Sequence, residues 1–192
     1  MPDLDLPGPA LARAIVARVG EVGQPPEVGI EYLNVGNESI LGVLEREYIA
    51  PIAQTGRGSS FKLVQAYFGG GKTHFLTCVR RIGWRHGLAS AMVGLSPDEC
   101  PFDDPLRIYQ AIARELSWPP ADPTVPPTRG IEHTLRTAFG ERRDTLGPEG
   151  FTTWLDGLMR LPVDAPSFRS AALAFGRAWA ADDFTTEDLL AS

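Results

Sequence analysis

The sequence predicts an α/β fold in which parallel strands are flanked by helices and followed by an all-helical C-terminal segment. Two short apolar runs rich in β-forming residues, 61–67 (FKLVQAY) and 89–95 (ASAMVGL), indicate strands. Apolar residues at helical spacing between them predict a helix from Lys72 to about His86. The order strand, glycine loop, helix, strand is that of a parallel βαβ unit. Since no third strand pattern follows, we expect the sheet to be incomplete.

Composition favours a globular protein with one main domain. The chain has 192 residues, of which 43% are hydrophobic and 22% charged, values close to the averages of folded proteins. The net charge of -6 argues against a chain-wide nucleic-acid surface. The two cysteines lack zinc-ligand spacing, and neither a secretory signal nor an apolar run long enough to span a membrane is present. We therefore expect a cytoplasmic protein that does not contact a membrane.

The N-terminal third predicts two helices. The first covers residues 9–22 and ends at the breaker run Gly23-Gln24-Pro25-Pro26. The second begins at an N-cap, Asn37 or Ser39, and continues to about residue 53 with an apolar stripe of Ile40, Leu41, Leu44, Tyr48 and Ile49. We expect three parts in all: residues 1–26 as helix and linker, 27–120 as the α/β core, and 121–192 as a helical segment.

Further helices are predicted after the second strand. The first spans residues 105–116, with Leu106, Ile108, Tyr109, Ile112 and Leu116 as its core face. Tyr109 and Trp118 are interpreted as core anchors. A proline-rich connection over 118–127 precedes helical patterns at about 129–143, 149–161 and 166–181, with a short one near Glu187.

Residues 66–73 read AYFGGGKT and match the phosphate-loop pattern, except that Ala66 stands where the first glycine is usual. Glycines in succession let backbone N–H groups turn inward around an anion, and a helix that starts at Lys72 adds its positive dipole end. The alternative is a glycine-rich turn that binds nothing. The predicted binding residues are Ala66, Tyr67, Phe68, Gly69, Gly70, Gly71, Lys72, Thr73 and His74.

Residue chemistry in this loop predicts a nucleoside triphosphate with magnesium. Lys72 would reach the β- and γ-phosphates, and the Thr73 hydroxyl would take one position on Mg²⁺. His74 lies next to the phosphates in sequence, although a solvent-facing or core histidine is the more ordinary interpretation. The absence of a guanine-recognition motif favours ATP.

An acid that positions magnesium and water is missing from the expected place. Asp98 and Glu99 follow the second predicted strand at a distance, and Asp156 lacks an apolar β run before it. Whether the chain is an enzyme is therefore left open by the residues. A basic cluster of Arg80, Arg81 and Arg85 is interpreted as a solvated helix face rather than a binding patch.

Four segments in order resemble the P-loop ATP-binding proteins of BREX-type phage-defence systems, an AAA+-like branch related to the origin-recognition group. They are YLNVGNE (32–38), EREYI (45–49), FKLVQAYFGGGKTHFL (61–76) and IYQAIARELSWP (108–119). The resemblance covers about residues 25–160. It implies an AAA+-like P-loop core, ATP as ligand, and other defence-system proteins or a second copy as partners, with DNA contact possible on family grounds alone.

The same resemblance implies that Leu33, Val35 and Gly36 lie near adenine. It also implies that the magnesium-positioning acid, an arginine sensor and a helical lid come from outside this chain, which would make it a fragment. Two other functions fit the residues: a nucleotide switch or scaffold without hydrolysis, and a small self-sufficient P-loop NTPase or kinase.

Overall fold

The structure is a computed structural model and describes residues 6–22, 25–120, 125–158 and 166–181. It divides into two compact units, Met1–Ile131 and Glu132–Ser192. Its helices, in chain order, are α1 (Pro9–Val22), α2 (Glu38–Leu44), α3 (Ala50–Thr55), α4 (Lys72–Arg85), α5 (Pro105–Glu115), α6 (Ile131–Leu158) and α7 (Pro166–Ala180). A 3-10 turn covers Ile30–Leu33, and a π-helical turn, Glu45–Ile49, joins α2 to α3.

The predicted helix after Asn37 is confirmed, but it changes winding in its middle. Pro51 stands at the start of α3. In a regular helix its ring would clash with the carbonyl four residues earlier, and its nitrogen donates no hydrogen bond. The π-helical turn ends at Ile49, two residues before this proline. A wider turn moves the displaced carbonyl away from the ring, which explains why the irregularity lies here.

The core of the first unit forms where α4 packs against the 3-10 turn and α2. Ile30 is 1% exposed, and Leu41, Cys78 and Ile82 are buried beside it. Cys78 and Ile82 are four residues apart and so share one face of α4. Phe75 and Val79 pack against the same cluster. The predicted helix that opens at Lys72 is thus confirmed, and its apolar face fixes it in the unit.

The predicted α/β fold is wrong for the described residues, which are largely helical and contain no sheet. Residues 61–67 run without strand pairing, and all of them are exposed. Residues 89–95 make one isolated antiparallel bridge, from Ser90 to Ser117, which in turn bridges to Arg129. A strand requires a hydrogen-bonding neighbour over several residues, and β-propensity alone does not supply one.

Helix α5 exists as predicted, but its apolar face is not core. The side-chain Oδ1 of Asp104 accepts a hydrogen bond from the N–H of Arg107 (3.1 Å), so the N-cap forms. Leu106 and Tyr109 are 65% and 58% exposed, and the interpretation of Tyr109 as a core anchor is wrong. Without a sheet to pack on, this face of α5 stays in solvent.

The interpretation of the arginine cluster as a solvated face is wrong for Arg80. This side chain is 8% exposed, and its guanidinium carbon lies 4.8 Å from the centre of the Trp84 ring. Burial lowers the pKa of Arg80, which the carboxylates of Glu27 and Glu115 oppose. Arg80 therefore supports the interior of the first unit.

The second unit has an aromatic core. Phe151 is completely buried, and its ring centre lies 5.7 Å from those of Trp154 and Trp179. Within α6, Gly147 (φ 69°) and Pro148 interrupt the helix, close to the break predicted between residues 143 and 149. The helix predicted near Glu187 lies outside the described residues.

We expect Phe151→Ala to lower the free energy of unfolding of the second unit by about 3–5 kcal/mol, because it removes the ring at the centre of this core. The measurement is urea unfolding followed by tryptophan fluorescence, since two tryptophans contact the ring. Thr152→Ala, at an exposed neighbouring position, is the matched control and should shift stability by less than about 0.5 kcal/mol. Equal effects of the two substitutions would contradict the packing described.

Candidate functional site

The glycine loop is a tight turn that ends in the first turn of α4. The N–H of Gly70 donates to the carbonyl of Tyr67 (3.0 Å), and the N–H of Phe75 donates to the carbonyl of Gly71 (2.9 Å). Gly69 and Gly71 have φ of 78° and 77°, a region that favours glycine. A Cβ on either would meet no atom within 4 Å, whereas one on Gly70 would come within 3.0 Å of the Tyr67 carbonyl oxygen. The loop thus needs glycine for conformation at two positions and for space at the third.

Lys72 closes this loop with its own side chain. Its Nζ donates to the carbonyl oxygens of Ala66 and Tyr67, both at 2.9 Å. The ammonium group therefore lies against the start of the loop and next to the N-terminus of α4, where the helix dipole favours an anion. No acidic residue lies in the first turn of α4. The arrangement supplies a cation, a helix N-terminus and an open glycine turn in one place.

The other loop residues are accessible. Tyr67 and Phe68 are 93% and 106% exposed. Thr73 is exposed, and its carbonyl accepts a hydrogen bond from Thr77 Oγ1 (2.8 Å). His74 is half-buried.

The residues expected near adenine lie at the end of the 3-10 turn and directly after it. Leu33 and Val35 are 40% and 85% exposed, and Gly36 donates its N–H to Glu38 Oε1 (3.1 Å). Asn34, between them, points to α4, where its Oδ1 lies 3.7 Å from the Sγ of Cys78. This segment is therefore held next to α4, with its apolar side chains accessible.

The candidate magnesium-positioning acids do not lie at the end of a strand, because the described residues form no sheet. Asp98 and Glu99 are in an exposed turn, in which the N–H of Glu99 donates to Ser96 Oγ (3.1 Å). Asp156 belongs to the second unit and pairs with Arg177 at 3.2 Å. Among the residues described, no group of three or more acidic, histidine or cysteine side chains is arranged to hold a metal ion.

An apolar cleft of about 650 Å³ lies in the first unit. It runs along α4 from Cys78 to Arg85 and faces the 3-10 turn, α2 and the start of the π-helical turn. Its lining residues are Ile30, Glu31, Asn34, Glu38, Leu41, Gly42, Glu45, Cys78, Arg81, Ile82, Trp84, Arg85, Pro119 and Pro120. The volume is in the range of pockets that bind small organic ligands.

Ion pairs line this cleft. Glu31 contacts Arg81 at 3.4 Å, and Glu45 contacts His86 at 2.8 Å and Arg85 at 3.4 Å. Glu31 Oε2 is a buried atom with no hydrogen-bond partner among the described residues. The cleft therefore combines an apolar floor with charged side chains in its lining.

Cys78 lies in the floor of the cleft. Burial raises the pKa of its thiol, and the negative charge of Glu31 raises it further. A thiol of this kind is protonated at neutral pH and reacts slowly. Cys78 thus contributes apolar surface to the cleft rather than a nucleophile.

Sequence reasoning identified the loop but not the cleft. Asn34 and Cys78 are 44 residues apart, and Glu31 and Arg81 are 50 residues apart. No local spacing in the sequence indicates such pairs, because they form only when α4 packs on the 3-10 turn.

A family model described as BREX system ATP-binding protein BrxC/D matches residues 10–124. The match covers more than half of the chain and includes the glycine loop and the cleft, and the resemblance drawn from the four sequence segments is confirmed. It begins earlier and ends earlier than that resemblance, so the second unit lies beyond it. No curated protein and no solved structure matches the chain. No helix in the described ranges is long and apolar enough to cross a membrane.

Cys78 should be alkylated slowly in the folded chain. In a Cys100→Ser variant, where it is the one remaining thiol, we expect the rate with iodoacetamide at pH 7.5 to be at least about tenfold lower than in urea, because thiolate is scarce. The rate should climb as pH rises toward the raised pKa, and Glu31→Gln should increase it. Equal rates in the folded and unfolded chains would contradict this description.

Proposed function

We propose, since the chain belongs to the BREX system ATP-binding protein BrxC/D family, that it binds ATP through residues 66–73. The observation that carries the proposal is the position of Lys72 Nζ, 2.9 Å from two loop carbonyls at the N-terminus of α4. In that position the ammonium group can exchange its hydrogen bonds to neutral carbonyls for a hydrogen bond to a phosphate oxygen. The exchange is favourable because a hydrogen bond between two charged groups is stronger.

The loop fits a triphosphate on three grounds. Gly69 and Gly71 leave open space where a Cβ would lie, so phosphate oxygens can approach the backbone. The N-terminus of α4 provides unpaired N–H groups and a positive partial charge. Thr73 is exposed one residue after Lys72, and its hydroxyl would be a ligand to the magnesium that accompanies ATP.

Residues at the end of the 3-10 turn, and directly after it, form a candidate site for the adenine base. Cys78, in the cleft floor, is six residues after Lys72, which is about 9 Å along the helix axis. Asn34 lies beside Cys78, and Leu33 and Val35 flank Asn34 with exposed apolar side chains. We therefore propose that adenine lies along Leu33, Val35 and Gly36, next to α4.

ATP binding is separate from hydrolysis in this proposal. Phosphoryl transfer to water requires an acid that positions magnesium or the attacking water beside the phosphates. Asp98 and Glu99 lie in an exposed turn, where Arg107 donates to the Asp98 carbonyl (3.1 Å). We propose that the chain holds nucleotide without turning it over alone, and that the acid is supplied by other residues of the assembly.

Membership of a BREX system implies other proteins of that system as partners. We propose that the nucleotide state of the loop controls association with them, as in other ATP-dependent assemblies of switch type. DNA contact is supported by family resemblance alone.

Lys72→Ala should greatly weaken ATP binding measured by isothermal titration calorimetry. The substitution removes the cation at the loop, and losing a charge-assisted contact to phosphate costs on the order of 2–3 kcal/mol, or about a hundredfold in affinity. Lys62→Ala is the matched control, because Lys62 is the one other lysine in the sequence. Its Nζ lies 3.8 Å from the Tyr48 ring centre and contacts no residue of the loop. Equal losses in the two variants would contradict a specific role for Lys72.

Purified chain should bind ATP but release no inorganic phosphate above background in a coupled-enzyme assay. Binding should weaken when EDTA removes magnesium, and Thr73→Ala should remove most of that magnesium dependence, because the hydroxyl ligand is gone. Asp98→Asn should leave both binding and phosphate release unchanged. Steady turnover that Asp98→Asn abolishes would instead support a self-sufficient NTPase.

A further inference from the structure

The apolar cleft along α4 is large enough to hold a small organic molecule. Its volume is about 650 Å³, within the range of pockets that enclose such ligands. Its floor consists of four apolar residues that are at most 7% exposed: Ile30, Leu41, Cys78 and Ile82. These side chains pack against one another as the core of the first unit. The cleft is therefore preformed and does not need a ligand to create it.

Gly42 leaves part of the cleft wall without a side chain. It lies inside α2 and lines the cleft. A Cβ at this position would meet no other atom within 4 Å, and the residue does not have a positive φ. Neither a close neighbour nor the backbone conformation therefore requires glycine here, although glycine is less favourable than alanine inside a helix. The space that Gly42 leaves open belongs to the cleft.

Carboxylates outnumber cations in the lining of the cleft. Its charged residues are three glutamates and two arginines: Glu31, Glu38, Glu45, Arg81 and Arg85. Both arginines already contact a carboxylate, because Arg81 pairs with Glu31 and Arg85 with Glu45, each at 3.4 Å. Within the ranges that the structure describes, the third glutamate, Glu38, forms no ion pair. The lining thus carries one negative charge that no cation balances.

Glu38 presents a carboxylate oxygen where the cleft opens to solvent. The residue is exposed at the start of α2, and its Oε1 accepts a hydrogen bond from the N–H of Gly36 (3.1 Å). That bond orients the carboxylate. Its Oε2 accepts no hydrogen bond from any residue that the structure describes. An oriented carboxylate with one oxygen available is a suitable partner for an ammonium group.

We propose that the cleft binds a small organic cation, whose apolar body lies on the floor and whose ammonium group contacts the Glu38 carboxylate. An anion is disfavoured, because it would meet three carboxylates and two arginines that are already paired. A neutral ligand would cover the same apolar surface but would gain no ion pair with Glu38. The glycine loop selects the opposite charge through Lys72, so this site goes beyond the proposed function and does not depend on it.

Three probes that share one apolar body test the charge of the ligand. Phenylbutylamine is a cation at neutral pH, phenylbutanol is uncharged and phenylbutyrate is an anion. The measurement is a titration of the isotope-labelled full chain followed by NMR, with shifts expected at Gly42, Cys78 and Ile82. The amine should bind with a dissociation constant on the order of 1 mM, about two- to fivefold more tightly than the alcohol. Binding of the alcohol or the anion that is as tight as that of the amine overturns the proposal.

Filling the cleft with a side chain tests its location. Gly42→Leu should weaken binding of the amine at least about tenfold, because the new side chain occupies the open space. Gly83→Leu is the matched control, since Gly83 lies inside α4 with open space for a Cβ but does not line the cleft. It should leave the dissociation constant within about twofold. Circular dichroism verifies the helix content of both variants. Equal effects of the two substitutions overturn the proposal.

Removing the charge of Glu38 tests the ion pair without filling the cleft. Glu38→Gln keeps a side-chain oxygen for the Gly36 N–H, and it should weaken the amine about two- to fivefold but leave the alcohol unchanged. Glu47→Gln is the matched control, because Glu47 is an exposed glutamate that pairs with Arg46 and does not line the cleft. Equal losses for the amine and the alcohol, or an unchanged affinity for the amine, overturn the proposal.

Lys72→Ala separates this inference from ATP binding. Lys72 is not a lining residue of the cleft, so the variant should bind phenylbutylamine as tightly as the unchanged chain does. ATP with magnesium should not displace the amine from the unchanged chain. Failure of ATP to bind overturns the proposed function alone. Absence of amine binding at about ten times the expected dissociation constant, or displacement of the amine by ATP, overturns the cation site alone.

Discussion

One ammonium group holds the ends of the glycine loop together. Lys72, the first residue of α4, reaches back to the carbonyls of Ala66 and Tyr67. The loop between them can fold because Gly69 and Gly71 take positive φ. The helix that carries Lys72 is fixed in turn by Cys78 and Ile82 in the core. The shape of the candidate phosphate site therefore depends on packing that begins two turns further along α4.

Features that depend on neighbouring residues were predictable from the sequence. Helices α1, α4 and α5 follow from apolar spacing and from end signals such as Asp104 before Pro105. The loop was predictable for the same reason, since its glycines, Lys72 and Thr73 are contiguous. The family assignment likewise followed from short segments in a fixed order.

Features that depend on distant residues were not predictable in this way. The segment 61–67 has strand-forming residues, but no described strand lies beside it to accept its hydrogen bonds. Tyr109 has the spacing of a core residue but no surface to pack against. Basic clusters on helices usually face solvent. Arg80 belongs to such a cluster in the sequence, yet its side chain is buried beside Trp84. In each case the outcome is decided by what lies opposite the residue in three dimensions.

The far end of α4 is fixed by a carboxylate that the π-helical turn supplies. Pro51 prevents regular winding before α3, and the wider turn that results starts at Glu45. Glu45 contacts Arg85 and His86, the last residues at the C-terminal end of α4. The helix dipole favours the Arg85 cation at that end, and Glu45 holds the side chains of both residues against α2. Helix α4 is thus anchored at one end by an ion-pair cluster and in the middle by the core. Its N-terminus is left as the end that can respond to an anion, because Lys72 is held there by two neutral carbonyls alone.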